Sequence, residues 1–408
     1  MLAEMLSTQV GAATRATYAA FIGSGFAFAS WASRIPQVRD QLSLEPSELG
    51  LVLLAIAVGS VLALPLSGPV IARLGSRRTV TAMAVLHAVG LAIVAVGYVL
   101  GVLPVVIGLF LFGFGIGAWD VAMNVQGALV ERRRGRSIMP RFHAGYSIGT
   151  VAGALIGAAV VALHVPVTLH LGLVALAVGV VIPWAVRAFL PDQEVARSAS
   201  AAEANGSGVA ARSLAAWGER RTLLIGVFVL AFAFAEGTAN DWISLAIIDG
   251  YHTVAAVGTL GFAVFLASMT LGRWFGPGVL DRHGRVPVTR GLTALALVGL
   301  ILFVAGEWIG IAFVGAALWG VGVSLGFPVG MSAGADDPAR AAARVSVISS
   351  IGYCAFLAGP PLVGFLGQHV GVLHAQAAVA VLLGVAALLA ANVRPLASAF
   401  TPTGESLG

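Results

Sequence analysis

Four ionisable residues stand inside long apolar runs of this sequence: Asp120 in GIGAWDVAMN, Glu236 in AFAFAEGTAN with Asp241 five residues on, and Arg273 in LGRWFGPG. A charge at the centre of a bilayer costs roughly 2.5–3.5 kcal/mol on insertion scales, so such residues mark ion or solute paths. Withdrawal from water disfavours the charged form of a carboxylate, which suits Asp120 and Glu236 to load and release protons. Asn124 and Glu131 follow Asp120 at offsets of 4 and 11 on one helical face, with Gly113, Gly117 and Gly127 in the same stripe. That face must meet protein or a water-filled cavity. Glu236 has Asn240 at i+4. Each assignment has a structural alternative: an inter-helical hydrogen bond at Asp120, and a buried ion pair between Glu236 and Arg273 that only braces the bundle. Arg273 otherwise neutralises a carboxylate or binds an anionic group.

No enzymatic set competes with these residues. The chain has no phosphate loop of the G-x-x-x-x-G-K type, no His/Cys metal cluster and no G-x-S-x-G. No catalytic residue, metal or cofactor is expected, and an ion gradient is the expected energy source. The single cysteine, Cys354, permits no internal disulfide.

The elements that must position these groups follow from composition. Of 408 residues, 59% are hydrophobic and 10% charged, against about 25% charged in a soluble domain. A spanning helix takes about 20 apolar residues, and the apolar runs predict twelve, over 15–35, 48–72, 79–99, 103–130, 142–163, 167–189, 221–247, 254–280, 286–305, 309–334, 344–367 and 372–393. Backbone groups in lipid must be satisfied internally, so these runs are helices. Depth follows at about 1.5 Å per residue from the nearest arginine cluster: about 18 Å for Asp120, about 22 Å for Glu236 and about 14 Å for Arg273. Asp241 and Arg34 fall near the opposite edge.

All 23 basic residues are arginine, and 20 lie at the termini or in the breaks after even-numbered spans. The net charge of +5 therefore belongs to one membrane face and not to a nucleic-acid surface. Positive-inside logic puts that face and both termini in the cytoplasm, in a multi-pass protein of the cytoplasmic membrane. The first apolar run has no basic lead or cleavage pattern and is expected to be a retained span.

The long polar break at 191–219 is rich in Ala, Ser and Gly and predicts a cytoplasmic linker between six-helix bundles at 1–190 and 220–408. The bundles match each other. GFAFAS at 25–30 aligns with AFAFAE at 231–236, Arg15 with Arg221, Gly113 and Gly115 with Gly320 and Gly322, and Gly145-Tyr146 with Gly352-Tyr353. A shift near half the chain length indicates a duplicated unit. The expected class is an all-α membrane protein of two pseudo-symmetric halves.

The loops after the second span of each half carry the resemblance. One runs Gly68-Pro-Val-Ile-Ala72-Arg73-Leu-Gly75-Ser-Arg77-Arg78, the other Gly278-Val-Leu-Asp281-Arg282-His-Gly284-Arg285. They are similar to the G-x-x-x-D-R-x-G-R loop of the major facilitator superfamily, with Ala72 where the family has its acidic residue. WASRIP at 31–36, WDVAMN at 119–124, RFHAGYSIG at 141–149 and GPPLVG at 359–364 resemble the bacterial MosC/YbjJ-like branch. The resemblance spans essentially the whole chain. It implies a secondary transporter that moves a small solute by alternating access.

The residues add a proposed division of labour. Asp120 and Glu236 are the proton-coupling candidates. Ser30, Trp31, Arg34, Asn124, Asn240, Asp241 and Arg273 are the substrate-binding candidates, with Arg34 and Asn240, 206 residues apart, facing each other across the cavity. Trp31 either stacks on a ring or belongs to the interfacial belt. Arg73, Arg77, Glu131, Asp281, Arg340 and Arg344 form the inner gate, with Glu131 pairing Arg73 or Arg77. Phe327-Pro328 and Pro360-Pro361 are points where a helix can bend. The expected partners are a small polar solute such as a sugar or polyol, protons and the lipid bilayer, with no nucleic acid, and the chain acts as a monomer. A drug efflux antiporter is the alternative, weakened because Ala154 stands where the drug-antiporter motif has proline, and a transport-dead sensor is a further rival.

Overall fold

The computed structural model describes residues 2–135, 138–191, 215–337 and 340–396. The main elements are α1 (Leu2–Ala32), α2 (Ile35–Leu42), α3 (Pro46–Gly97), α4 (Val102–Arg134), α5 (Met139–Ala162), α6 (Val167–Ala185), α7 (Arg220–Tyr251), α8 (Ala255–His283), α9 (Arg285–Ala305), α10 (Ile309–Val323), α11 (Gly326–Gly334), α12 (Ala341–Val370), α13 (Val372–Ala375) and α14 (Ala377–Leu389). Most of the linker expected at 191–219 lies outside the described residues.

Ten helical segments among the described residues are long and apolar enough to cross a membrane. One of them, α3, contains two spans joined at Gly75. With α1, whose 31 residues carry more polar side chains, the count reaches twelve.

Gly75 (φ 78, ψ 160) has its repeat partner in Gly284 (φ 79, ψ 165), 209 residues later. The sequence suggested loops of several residues at both places. The structure turns the chain at one residue, in a backbone region that a side chain rarely tolerates. The tenth span differs too. It breaks at Ser324–Leu325 between α10 and α11, because Pro328 cannot donate to the carbonyl four residues back and its ring crowds that position. The second bend expected, at Pro360-Pro361, is absent as a break: α12 runs through it.

Packing repeats along with the sequence. A side chain at Gly113 would strike the Ile56 carbonyl, and one at Gly320 the Phe265 carbonyl; Gly115 abuts His87 and Gly322 abuts Ala296. The glycines of α5 at 145, 149, 153 and 157 lie against Tyr18, Ile22, Phe26 and Ser33 of α1 and the turn after it. Small residues let helix backbones approach where no hydrophobic effect drives association.

The halves meet through α3 with α12 and α5 with α8. At the arginine-poor end the contact is tight. A Cβ on Gly50 would lie 2.5 Å from the Pro360 carbonyl oxygen, and one on Gly364 2.5 Å from that of Pro46. Arg39 donates two hydrogen bonds to Asp249, at 2.8 and 3.0 Å, and Gln368 donates to Glu45 at 3.2 Å. At the arginine-rich end Gly68 and Gly278 have no atom within 4 Å of a built Cβ, and Arg73, Arg77, Asp281 and Arg282 are exposed. The bundle is closed at one end and open at the other. Gly50→Val should therefore force the closed end apart. Thiol labelling of a cysteine placed at Ser47 should accelerate at least several-fold over the same cysteine in the parent, and an unchanged rate would rule out Gly50 as part of the closure.

Candidate functional site

Between the halves, α8 and α7 bring Arg273 and Glu236 together: Arg273 Nη2 donates to Glu236 Oε2 at 2.7 Å. Both side chains keep partial exposure, 28% and 22%, so the pair is open to water. Arg273 Nε also donates to the Ser324 carbonyl at 3.3 Å. That carbonyl lies four residues before Pro328, so the proline leaves it without a helical donor. Gly272 admits the approach, since a Cβ there would collide with the Ser324 side chain.

Asp120 stands on α4 beside Asn124, whose side-chain amide donates to the Asp120 carbonyl at 2.9 Å and to its Oδ1 at 3.3 Å. Tyr146 of α5 lies within electrostatic reach of Glu236, Asp120 and Arg273, and Tyr353 of α12 within reach of Asp120. The two tyrosines occupy equivalent positions in the repeats, 207 apart. Sequence reasoning noted both only as repeat markers. Their pairing across the halves was the available signal for a shared site.

The remaining candidates fall in different places. Trp31 is buried, at 1% exposure, with its indole N–H unpartnered, so it is unavailable for stacking on a solute in this state. Ser30 is buried as well. Asn240 is half-buried with Oδ1 unpartnered, and Asp241 is half-buried with no side-chain hydrogen bond among the described residues. Among the described residues no hydrogen bond joins Arg34 to Asn240. Arg34 Nε donates to His170 Nδ1 at 2.9 Å and its Nη2 to the Val165 carbonyl at 3.0 Å. The repeat equivalence fails here because α1 ends at Ala32 while α7 runs on to Tyr251, so Arg34 sits in a turn and Asn240 on a helix.

The expected gate residues form two arrangements. Glu131 Oε2 accepts from the Ile138 and Met139 amides at 2.6 and 2.8 Å, fastening the start of α5; among the described residues no ion pair joins it to Arg73 or Arg77, the partners expected. Arg344 and Arg340 bind Glu219 at 2.6 and 3.2 Å and also reach Asp337. They clamp the start of α7 within their own half. Asp336 does similar work, receiving Arg285 at 2.7 Å and Arg221 at 3.1 Å. Asp281 remains exposed.

Twelve spans in two like halves, open at one end onto an ion pair, a second carboxylate and two tyrosines, have the architecture of a membrane transporter. The chain belongs to the Major Facilitator Superfamily, whose family model matches residues 17–354. It is 30% identical over 356 residues to the uncharacterized transporter y4wD of Sinorhizobium fredii, covering 87% of this chain and 91% of that one. It is 27% identical to the membrane protein MosC of Rhizobium meliloti, with 86% and 83% covered, which supports the MosC-like branch. Among solved structures, the nucleoside transporter NupG superposes with a TM-score of 0.70 at 15% identity, covering 93% of this chain and 98% of that one. A D-xylose-proton symporter gives 0.68 at 12%, covering 93% and 96%. The protein is a multi-pass membrane transporter and not an enzyme.

The Glu219 clamp gives a pH dependence outside the membrane. The hydrogen bond from Arg344 is the main cause holding its carboxyl below the usual range; partial burial opposes it, and Thr222 and Arg340 add to it. A lowered carboxylate contributes stability above its unfolded value, near about 4.3, and loses it as pH falls through the folded value. The melting temperature of Glu219→Gln should sit below wild type by a constant gap above about pH 5, and the gap should close below about pH 4. A gap independent of pH across that range would show the clamp to be uncharged in effect.

Proposed function

We propose that this protein is a proton-coupled secondary transporter of a small polar solute, sugar- or polyol-like, working as a monomer by alternating access in the cytoplasmic membrane. The observation that carries this reading is the Glu236–Arg273 ion pair beside Asp120, with Tyr146 and Tyr353 bracketing the space from opposite halves. Tyrosine rings and hydroxyls suit a solute with alternating C–H and O–H surfaces. The names of the fold neighbours, a nucleoside transporter and sugar–proton symporters, support the same chemistry. The arginine bias supports a cytoplasmic arginine-rich end with both termini on that side, which makes the described state open to the cytoplasm. The polar lining of Asn124, Tyr146 and Tyr353 favours this over drug efflux.

The coupling follows from the pair. Arg273 holds Glu236 in the described state. In the other state, α8 shifts against α7 within this half and the pair parts; an unpaired carboxylate in an apolar setting then takes a proton, because desolvation favours the neutral form. Solute and proton then bias the same two-state equilibrium. A proton crossing 100 mV releases about 2.3 kcal/mol, enough for a roughly fifty-fold solute gradient.

Glu236→Gln should abolish gradient-driven accumulation in proteoliposomes while leaving solute exchange within about threefold of wild type. Asp120→Asn should weaken both. If both variants still accumulate solute against its gradient, coupling through these carboxylates is wrong. The solute itself is found first by a thermal-shift screen of sugars, nucleosides and polyols, and Tyr353→Ala should remove the shift.

A further inference from the structure

A cavity of about 560 Å³ lies at the closed end, away from the carboxylate centre. Its wall includes Arg34, Gln37 and Tyr98, the residues Val165 to Val167 that open α6, and Val254 to Ala256 that open α8. Both halves therefore contribute to it.

The donors and the one charged side chain of this wall favour negative charge. Arg34 is 2% exposed, and its two hydrogen bonds go to neutral groups, the His170 ring and the Val165 carbonyl. Among the described residues no carboxylate acts on it; the charge-bearing groups near it are Tyr98 and His170. Asp40, six residues on, and Asp249 of the other half are both taken by Arg39. A buried guanidinium without a counter-ion is strongly unfavourable. Gln37 has both amide atoms shielded and unpartnered. Neither α6 nor α8 has a side-chain N-cap, so their first backbone N–H groups remain as donors with the positive ends of two helix dipoles behind them.

We propose that this cavity is an anion site for a phosphate-type group, bridging the two halves at the closed end. Bound there, the anion supplies the counter-ion Arg34 lacks and draws α8 of one half toward α6 of the other, which favours the state closed at this end. A free oxyanion and an anionic lipid headgroup present the same chemistry, and only the lipid source is confined to the bilayer. The site is independent of the solute reading, since it shares no residue with the Glu236 centre.

The test uses purified full-length protein in a neutral detergent, titrated separately with inorganic phosphate and with phosphatidylglycerol, against phosphatidylcholine as control. A ligand binding the folded protein at a hundred times its dissociation constant should raise the melting temperature by roughly 3 °C or more. A rise with phosphate assigns a free anion; a rise with phosphatidylglycerol alone assigns the lipid. Gln37→Leu is close to isosteric and should fold, and it should lose at least half the rise. Arg34→Gln should lose all of it if it folds. No rise with either anion, or a full rise retained in Gln37→Leu, overturns the proposal. Distances between spin labels at Leu100 and Trp308, both exposed at this end, in a Cys354→Ser background, give the second reading. The anion should narrow the distribution toward the short distance, and an unchanged distribution removes the bridging role.

Discussion

An ion pair inside an apolar bundle dictates what every helix around it must supply. Glu236 and Arg273 attract each other strongly there, yet stripping them of water costs several kcal/mol for each ion. Their stability depends on further hydrogen bonds and on residual hydration. The break between α10 and α11 provides one such bond by releasing the Ser324 carbonyl to Arg273. Gly272 is small so that this carbonyl can arrive, and the open end of the bundle supplies water to the rest. Proline, glycine and the open end thus serve one pair.

The tight end of the molecule answers a different demand. It has to exclude solute and ions with short-range contact, and it does so by laying backbone on backbone at Gly50 and Gly364. The Arg39–Asp249 bridge sits above these contacts and fixes their register. Charge is spent differently at the arginine-rich end. Glu219 and Asp336 gather four arginines within one half, which stiffens that half without tying it to the other.

Much of this was legible in the sequence. Apolar run lengths, arginine placement and the half-chain repeat dictate the helical bundle, because lipid allows so few backbone solutions. The depths of Asp120, Glu236 and Arg273 followed from residue counts along helices, and the Glu236–Arg273 pair was one of two readings considered. What escaped depended on where a side chain leaves a helix. Arg34 appeared equivalent to Asn240 until the turn after Ala32 redirected it to His170. Glu131 faces the gate region by periodicity, but the start of α5 presents bare amides that no charge count reveals. The partner of Arg273 at Ser324 is a backbone oxygen, and backbone groups leave no mark in a residue pattern except through Pro328.

The glycine contacts at the closed end carry a mechanical consequence. Dispersion between packed atoms falls off so steeply that a gap of 0.5–1 Å already forfeits a quarter to a half of it. Backbone pressed on backbone at Gly50 and Gly364 therefore behaves as a latch and not as a spring. It holds at nearly full strength until it parts, then offers almost no restoring pull. A half-open pore has nothing to rest on, so the passage through it is brief, and ions have little time to leak while both ends are ajar.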